Sequence, residues 1–392
     1  MPRVLEVFVV FLRLGLTSFG GPVAHLGYFR AEFVERRRWL DEQGYADLVA
    51  LCHFLPGPAS SQVGMALGLG RAGLWGALAA WLGFTLPSAV LLVLLALGVA
   101  AGGDLGNAGW LSGLKIVAVA VVAQAVLGMA RTLTPDVPRL LAALGAAVAA
   151  LLLPGAPAQV AVLLVTGLIG WHLLAADVPT AGAVPWPSAL SRRLGAALLA
   201  VFALLLAGLP LLRGAVGGPA LALLDSFYRA GALVFGGGHV VLPLLEAEVV
   251  PPGWVTRDAF LAGYGAAQAV PGPLFTFGAY LGAVSDVGLP RLTAALLALV
   301  GLFLPAFLLV TGALPFWASL RGHAATRSAL RGVNAGVVGL LLAALYSPVF
   351  TAAVESSLDF ALVLAAFALL ELLRWPPWVV VGLGALVGGL AL

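Results

Sequence analysis

Long runs of leucine, alanine, valine and glycine alternate along this chain with short polar or Gly/Pro-containing breaks. Apolar stretches near 4–20, 48–70, 73–100, 111–130, 194–212, 219–245, 259–284, 290–316 and 329–347 reach the roughly 20 residues that a helix needs to cross a bilayer. Shorter ones near 139–154, 157–175, 357–373 and 376–392 read as helical hairpins that need help to cross. None shows the period-two alternation of a membrane barrel, so helices are expected throughout. The fold class that follows is an all-α polytopic membrane protein.

The pattern occurs twice. Arg13-Leu-Gly-Leu-Thr-Ser18-Phe19-Gly20-Gly21-Pro22, followed by Trp39 and Pro56-Gly57-Pro58, returns as Arg229-Ala-Gly-Ala-Leu-Val-Phe235-Gly236-Gly237-Gly238, followed by Trp254 and Pro271-Gly272-Pro273. The offset is 216 residues at Arg13 and Phe19, and 215 at Trp39 and Pro56. Two copies of one unit are expected: a first transmembrane repeat over 1–178, a connector with an unpaired apolar segment over 179–216, and a second repeat over 217–392. An odd number of crossings before the second copy turns it upside down. The expectation is an inverted repeat with broken or re-entrant helices, the design that supports alternating access.

Orientation stays open. The loop 23–47 carries Arg30, Arg36, Arg37 and Arg38, whereas its counterpart carries Glu246, Glu248, Arg257 and Asp258. The positive-inside rule makes the first loop cytoplasmic. If every stretch crosses, however, that choice leaves Arg321, Arg327 and Arg331 outside; re-entrant segments would change the parity.

Composition narrows the class further. Hydrophobic residues make up 62% and charged residues 9% of the chain, where a soluble domain carries about 25% charged. Cys52 is the single cysteine, which leaves no internal disulfide and no thiolate metal cage. There is no basic tract for nucleic acid, and no metal or cofactor is expected. The first apolar stretch contains Glu6 and Arg13 and runs into the repeat motif, unlike a cleavable signal peptide. The expected location is a membrane, as a multi-pass protein in contact with lipid.

Glycine pairs permit left-handed backbone, and Pro22 favours a new first turn, so helices should break at Phe19–Pro22 and Phe235–Gly238. A break frees N–H groups that must face protein or a wet cavity, and a helix N-terminus offers them to an anion. Pro58 and Pro273 each start another turn, carrying Ser60, Ser61 and Gln62 in one copy and Thr276 in the other, with Gln268 just upstream. Hydroxyl and amide groups there suit an oxyanion. Any of these motifs alone reads as a tight bend or a plain loop; their duplication in register favours a substrate path. Arg13 and Arg229 are matched cations within apolar segments, where an arginine generally faces a cavity or a partner. Glu6 and Asp225 are the nearby carboxylate candidates, and ion pairing competes with anion binding as their role. Lys115 and Arg331 form another matched pair, read as interfacial snorkelling. His25, His239 and His53 are proton-coupling candidates beside the motifs, against the plainer role of hydrogen-bonded structural histidines. The alternation of charge and aromatics over 24–47 reads as an amphipathic helix lying on the membrane or across the mouth of a cavity.

Ser18-Phe-Gly-Gly-Pro22 with Trp39-Leu, Phe54-Leu-Pro-Gly-Pro58 and Gln62, together with Phe235-Gly-Gly-Gly-His239 and Gln268-Ala-Val-Pro-Gly-Pro273, resemble the chromate ion transporter family over both halves. The resemblance implies an inner-membrane carrier that expels chromate, driven by the membrane potential or the proton gradient, with sulfate as a mimic. A homodimer is a candidate assembly of this chain, whose oligomeric state the sequence leaves open. The second copy departs from the first at Val234 for Ser18, Gly238 for Pro22 and Gln268 for His53, so unequal half-sites are expected. Read from the residues alone, a chromate carrier, a carrier of sulfate or other oxyanions, and an anion channel all survive. A membrane-embedded enzyme is disfavoured, since the chain has no His-Glu-x-x-His, no Gly-x-Ser-x-Gly and no close Asp pair within an apolar segment.

Overall fold

A computed structural model describes residues 2–101, 109–153, 155–174, 190–317 and 324–391. Among them there is no β-strand. Arg321 and the expected boundary at 178 lie outside the described residues.

Helix α1 (Arg3–Thr17) stops because the chain reaches Gly20 and Gly21, both with left-handed φ (97° and 74°). Helix α2 (Gly21–Arg30) starts there with Pro22 in its first turn. It doubles back along α1: Arg13 bonds Glu32 at 2.7 Å and Glu6 stands 3.5 Å from Arg37. A straight helix would hold residues 19 apart by about 28 Å. The two arms therefore form a re-entrant hairpin with the Phe19–Gly21 break at its tip. Helix α3 (Glu42–Phe54) and the first arm of α4 (Ala59–Ala101) form a second hairpin, whose tip is Pro56-Gly57-Pro58. Non-helical backbone at Ala72 and Gly73 folds α4 back on itself, with Gly68 and Gly76 in backbone contact across the turn. This turn returns to the loop where α3 began, since Arg71 bonds Glu6 (2.9 Å) and lies 5.3 Å from the Trp39 ring.

The remaining helices of the first half are α5 (Gly109–Leu133), α6 (Val137–Leu152) and α7 (Ala156–Leu173), followed by the connector α8 (Arg192–Val216). The second half repeats the plan. Helices α9 (Pro219–Ala232) and α10 (Val241–Val249) form one hairpin, tied by Arg229 to Glu248 at 2.9 Å. Helices α11 (Arg257–Ala267) and α12 (Phe277–Val284) form the other, where the Tyr280 hydroxyl donates to Ala259 O (3.0 Å). Then come α13 (Arg291–Ala313), α14 (Ala324–Ala344), α15 (Ser357–Phe367) and α16 (Pro377–Ala391). Helices α4, α5, α8, α13 and α14 are long and apolar enough to cross a membrane.

The halves exchange walls. Helix α14 packs on α6 and α7 of the first half, and α5 packs on α15 and α16 of the second. These contacts use small residues, Gly332 on Gly170, Gly339 on Ala143 and Gly113 on Gly384, which let backbones approach closely where lipid supplies no hydrophobic drive.

Helix α8 fixes the relative orientation. Its first turns meet Gly312 and Phe316, next to Leu314 and Trp317, which border one cavity with Trp39 and Arg71. Its last turn puts Arg213 3.2 Å from Asp225 and 5.8 Å from the Trp254 ring. A 25-residue helix is about 37 Å long. The hairpins of the two halves therefore enter from opposite faces, and the repeat is inverted.

Several expectations are met or corrected here. Of the long apolar stretches, 48–70, 219–245 and 259–284 are each broken at a Gly or Pro motif into two helices and 4–20 ends at its break, so these take the broken or re-entrant form that was expected and are not single spans. The 24–47 region does not lie on the membrane surface, since Phe29 and Phe33 are fully buried in the hairpin; its later part, from Arg37 to Asp47, borders a cavity, the other place read for it. Arg13 pairs with Glu32 rather than Glu6, which instead binds Arg71 and Arg37. Lys115 reaches the exposed Asp258 at 3.0 Å.

Candidate functional site

The four hairpin tips meet in the middle of the protein. Gly57 N donates to Val234 O at 2.7 Å, and Gly272 N donates to Ser18 O at 2.9 Å. Each Pro-Gly-Pro thus docks on the helix break of the other half, at equivalent positions. Glycine is required at both: φ is +124° at Gly57 and +99° at Gly272. A Cβ on Gly272 would lie 2.9 Å from Ser88 Oγ, and one on Gly57 would lie 3.0 Å from Ala306 Cβ. Helices α2 and α4 start at these tips, and so do the short turns leading into α10 and α12. Their free N–H groups and positive dipole ends converge on one region.

His25 ties the first-half tips together. Its Nε2 lies 3.2 Å from Ser18 O, an obligate acceptor, so Nε2 donates. The neutral ring then accepts at Nδ1 from the Ser60 hydroxyl (3.4 Å). His25 is buried and meets Phe84 edge-on. In the second half His239 bonds the Tyr264 hydroxyl at 2.8 Å, beside Gln268. Thr276 is spent on Pro273 O (2.8 Å), and Gln62 Nε2 donates to Pro56 O (2.8 Å). His53 is exposed and stands apart. Phe19 packs on Trp378, and Gly236 faces Met129 and Val337.

Several buried polar atoms of this region have no hydrogen-bond partner: Ser18 Oγ, Ser61 Oγ, Gln62 Oε1, Trp81 Nε1, Thr85 Oγ1 and Gln268 Nε2. Such atoms cost free energy unless a water or ligand satisfies them. Five of the six can donate, as an anion requires. Thr85 is the informative one. The other buried threonines, Thr134, Thr166, Thr276 and Thr311, each donate to a nearby carbonyl of their own segment at 2.6–2.9 Å, the usual fate of a helical hydroxyl. Thr85 does not. It lies one turn from Ser88, against which Gly272 packs, and next to Phe84, which touches His25. Trp81, a turn earlier, packs on Phe303.

The structure does not bring Arg13 and Arg229 to this meeting point. Arg13 sits with Glu32, which also accepts from Arg36 (3.1 Å) and Arg37 (2.6 Å). Arg229 sits with Asp225 (3.1 Å) and Glu248 (2.9 Å). Both are structural cations of the outer hairpin arms in this conformation. Sequence reasoning missed Trp81 and Thr85, which lie in an unbroken apolar run without a motif. The 216-residue match of Glu32 to Glu248 was legible and would have named the arginines' partners.

The fold and site define a multi-pass membrane protein with two inverted repeats and a buried, donor-rich centre where broken helices cross. The family model described as chromate transporter matches residues 5–171 and 221–389, and the chain belongs to that family. It is 31% identical to the chromate transport protein of Pseudomonas aeruginosa, over 86% of this chain and 79% of that protein. It is 28% identical to the chromate transport protein of Cupriavidus metallidurans, over 94% and 87% respectively. A probable chromate transport protein of Synechococcus elongatus is 27% identical over 85% of this chain and 81% of its own length. No solved structure matches the chain.

Proposed function

We propose that the protein is a secondary transporter that exports chromate across the cytoplasmic membrane, driven by the membrane potential or the proton gradient. The observation that carries this reading is the set of unpartnered buried donors, Ser18, Ser61, Trp81, Thr85 and Gln268, at the crossing of helix N-termini. A tetrahedral dianion accepts in many directions and donates none, so it satisfies such a set at once. The inverted hairpins supply the two exposures: tips held by one hydrogen bond on each side let the halves rock about the centre. Membership of the family and the names of its relatives support chromate as the substrate.

Sidedness follows from where the arginines lie. Arg30, Arg36, Arg37, Arg38 and Arg71 cluster at the first-half mouth, and Arg192 and Arg193 start α8 on the same side. Arg327 follows α13 on that side too, because the re-entrant hairpins change the parity. The positive-inside rule makes this mouth cytoplasmic. His25 is the coupling candidate in our reading. Protonation makes Nδ1 a donor, so the Ser60 hydroxyl must turn to accept, next to Ser61.

Everted membrane vesicles test the reading. Energised vesicles should accumulate chromate, excess sulfate should compete, and a protonophore should abolish uptake; His25→Gln should remove the response to the pH gradient. Absence of chromate uptake from verified, inserted protein would contradict the substrate assignment.

A further inference from the structure

We propose that the cavity at the first-half mouth is an antechamber that gathers the oxyanion before it reaches the hairpin tips, with Arg38 and Arg3 as its working cations. This rests on the transport reading above. The cavity measures about 560 Å³ and lies between the start of α1, the loop before α3, the fold-back of α4 and the turn after α13. That volume holds many waters of about 30 Å³ each, so an anion enters with its hydration shell and binds loosely.

The cations of the wall fall into two groups. Arg37 and Arg71 flank the Trp39 ring at 6.0 and 5.3 Å and are neutralised by Glu6 and Glu32. Arg3 and Arg38 line the cavity without an ion pair among the described residues. Asp41 is occupied in capping α3 through Gly44 N (2.8 Å).

Arg38 carries the argument. Its φ is +52°, a left-handed conformation that costs a non-glycine residue of order 1 kcal/mol or more. The turn demands it: Trp39 N bonds Phe33 O, as Trp254 N bonds Val249 O in the second half. The residue equivalent to Arg38 is Gly253, with φ +77°. One copy meets the backbone requirement with glycine; the other places a free cation there against its conformational preference, facing a chamber large enough for many waters. The fold does not need that arginine. Below the chamber Trp317 touches Phe54 edge-on (5.7 Å), and Phe54 stands two residues before the Pro56-Gly57-Pro58 tip. An anion held in the chamber is one aromatic pair away from the crossing of the tips.

The test uses a variant that the turn favours. Arg38→Gly should keep or raise the melting temperature, because glycine relieves the left-handed strain. In chromate uptake by vesicles of neutral lipid it should raise KM three- to tenfold at low ionic strength, with maximal rate unchanged. The difference should vanish near 1 M salt, where the screening length falls to about 3 Å; Arg3→Gln should act in the same direction. An unchanged KM in Arg38→Gly, with wild-type uptake normal, overturns the antechamber and leaves the transport reading intact. An effect seen only in vesicles of anionic lipid assigns the cavity to a lipid phosphate and also overturns it. No saturable uptake by the wild type removes the transport reading and this inference together.

Discussion

Gly238 faces Pro22: a Cβ placed on Gly238 would lie 3.2 Å from Pro22 Cγ. The two residues hold the same position in the two repeats, 216 apart. A residue can touch its own counterpart only on the axis that relates the halves. The departure of Gly238 from Pro22 therefore has a physical reason, since two proline rings would compete for one place on the axis.

That contact predicts a rescue. Gly238→Val should lower the melting temperature and impair uptake, because the neighbouring ring must give way, at about 1–3 kcal/mol for overpacking. Adding Pro22→Gly should restore much of the loss. Independent, additive effects of the two substitutions on thermal unfolding would show that the axis lies elsewhere.

The crossed hydrogen bonds at the tips predict severe effects from the smallest substitution. Gly272→Ala combines a φ of +99° with a Cβ 2.9 Å from Ser88 Oγ and 3.1 Å from Phe84 O. It should destabilise by roughly 2–4 kcal/mol and abolish uptake. Gly57→Ala should behave alike, with φ +124° and Gln62 Nε2 at 2.9 Å. Gly73→Ala also has a left-handed φ (65°) but open space around its Cβ, so it should cost less in a comparison of melting temperatures.

The repeat, the breaks and the inversion were legible in the sequence because Gly-Gly, Pro-Gly-Pro and the aligned tryptophans recur at a fixed offset. Which apolar runs re-enter was not. An arm such as α1 joined to its break reads as one apolar run, and hydropathy does not distinguish a turn at mid-membrane from a crossing. What separates them is a contact across the break, such as Arg13 to Glu32, 19 residues on. Both arginines were legible as partnered, and Arg229 does pair with Asp225 one turn before it (3.1 Å); Arg13 drew the wrong neighbour, because Glu6 is closer along the helix while the hairpin brings Glu32 closer in space. Thr85 and Trp81 carry no motif, and only their missing partners reveal them.

Glu32 and Glu248 should respond differently to pH and to neutralisation. Burial alone would raise the Glu32 carboxyl, but hydrogen bonds from Arg37 and Arg36 and the charge of Arg13 outweigh it and hold it below the ordinary 4.5. An acid with a lowered folded pKa stabilises the fold above its unfolded value, and that stabilisation is lost as the pH falls through the folded one. Melting temperature should thus fall below about pH 4.5 in the wild type. Glu32→Gln should destabilise the fold already at pH 7, by roughly 2 kcal/mol for a buried anion with partly exposed partners. Burial raises the Glu248 carboxyl, opposed only in part by Arg229, so Glu248→Gln should cost less. Equal losses at pH 7 would contradict the asymmetry.

The central claim is that the oxyanion binds where the hairpin tips cross, on donors without partners of their own. Chromate binding to purified protein, titrated for wild type, Thr85→Val and Ser61→Ala, tests it most directly, with Thr166→Val as the control whose hydroxyl is already bonded to Val162 O (2.9 Å). Thr85→Val and Ser61→Ala should keep the wild-type melting temperature, because each removes an unsatisfied buried hydroxyl, and should weaken binding about tenfold each, while Thr166→Val binds normally. Wild-type affinity in both site variants would contradict a site at the crossing of the tips.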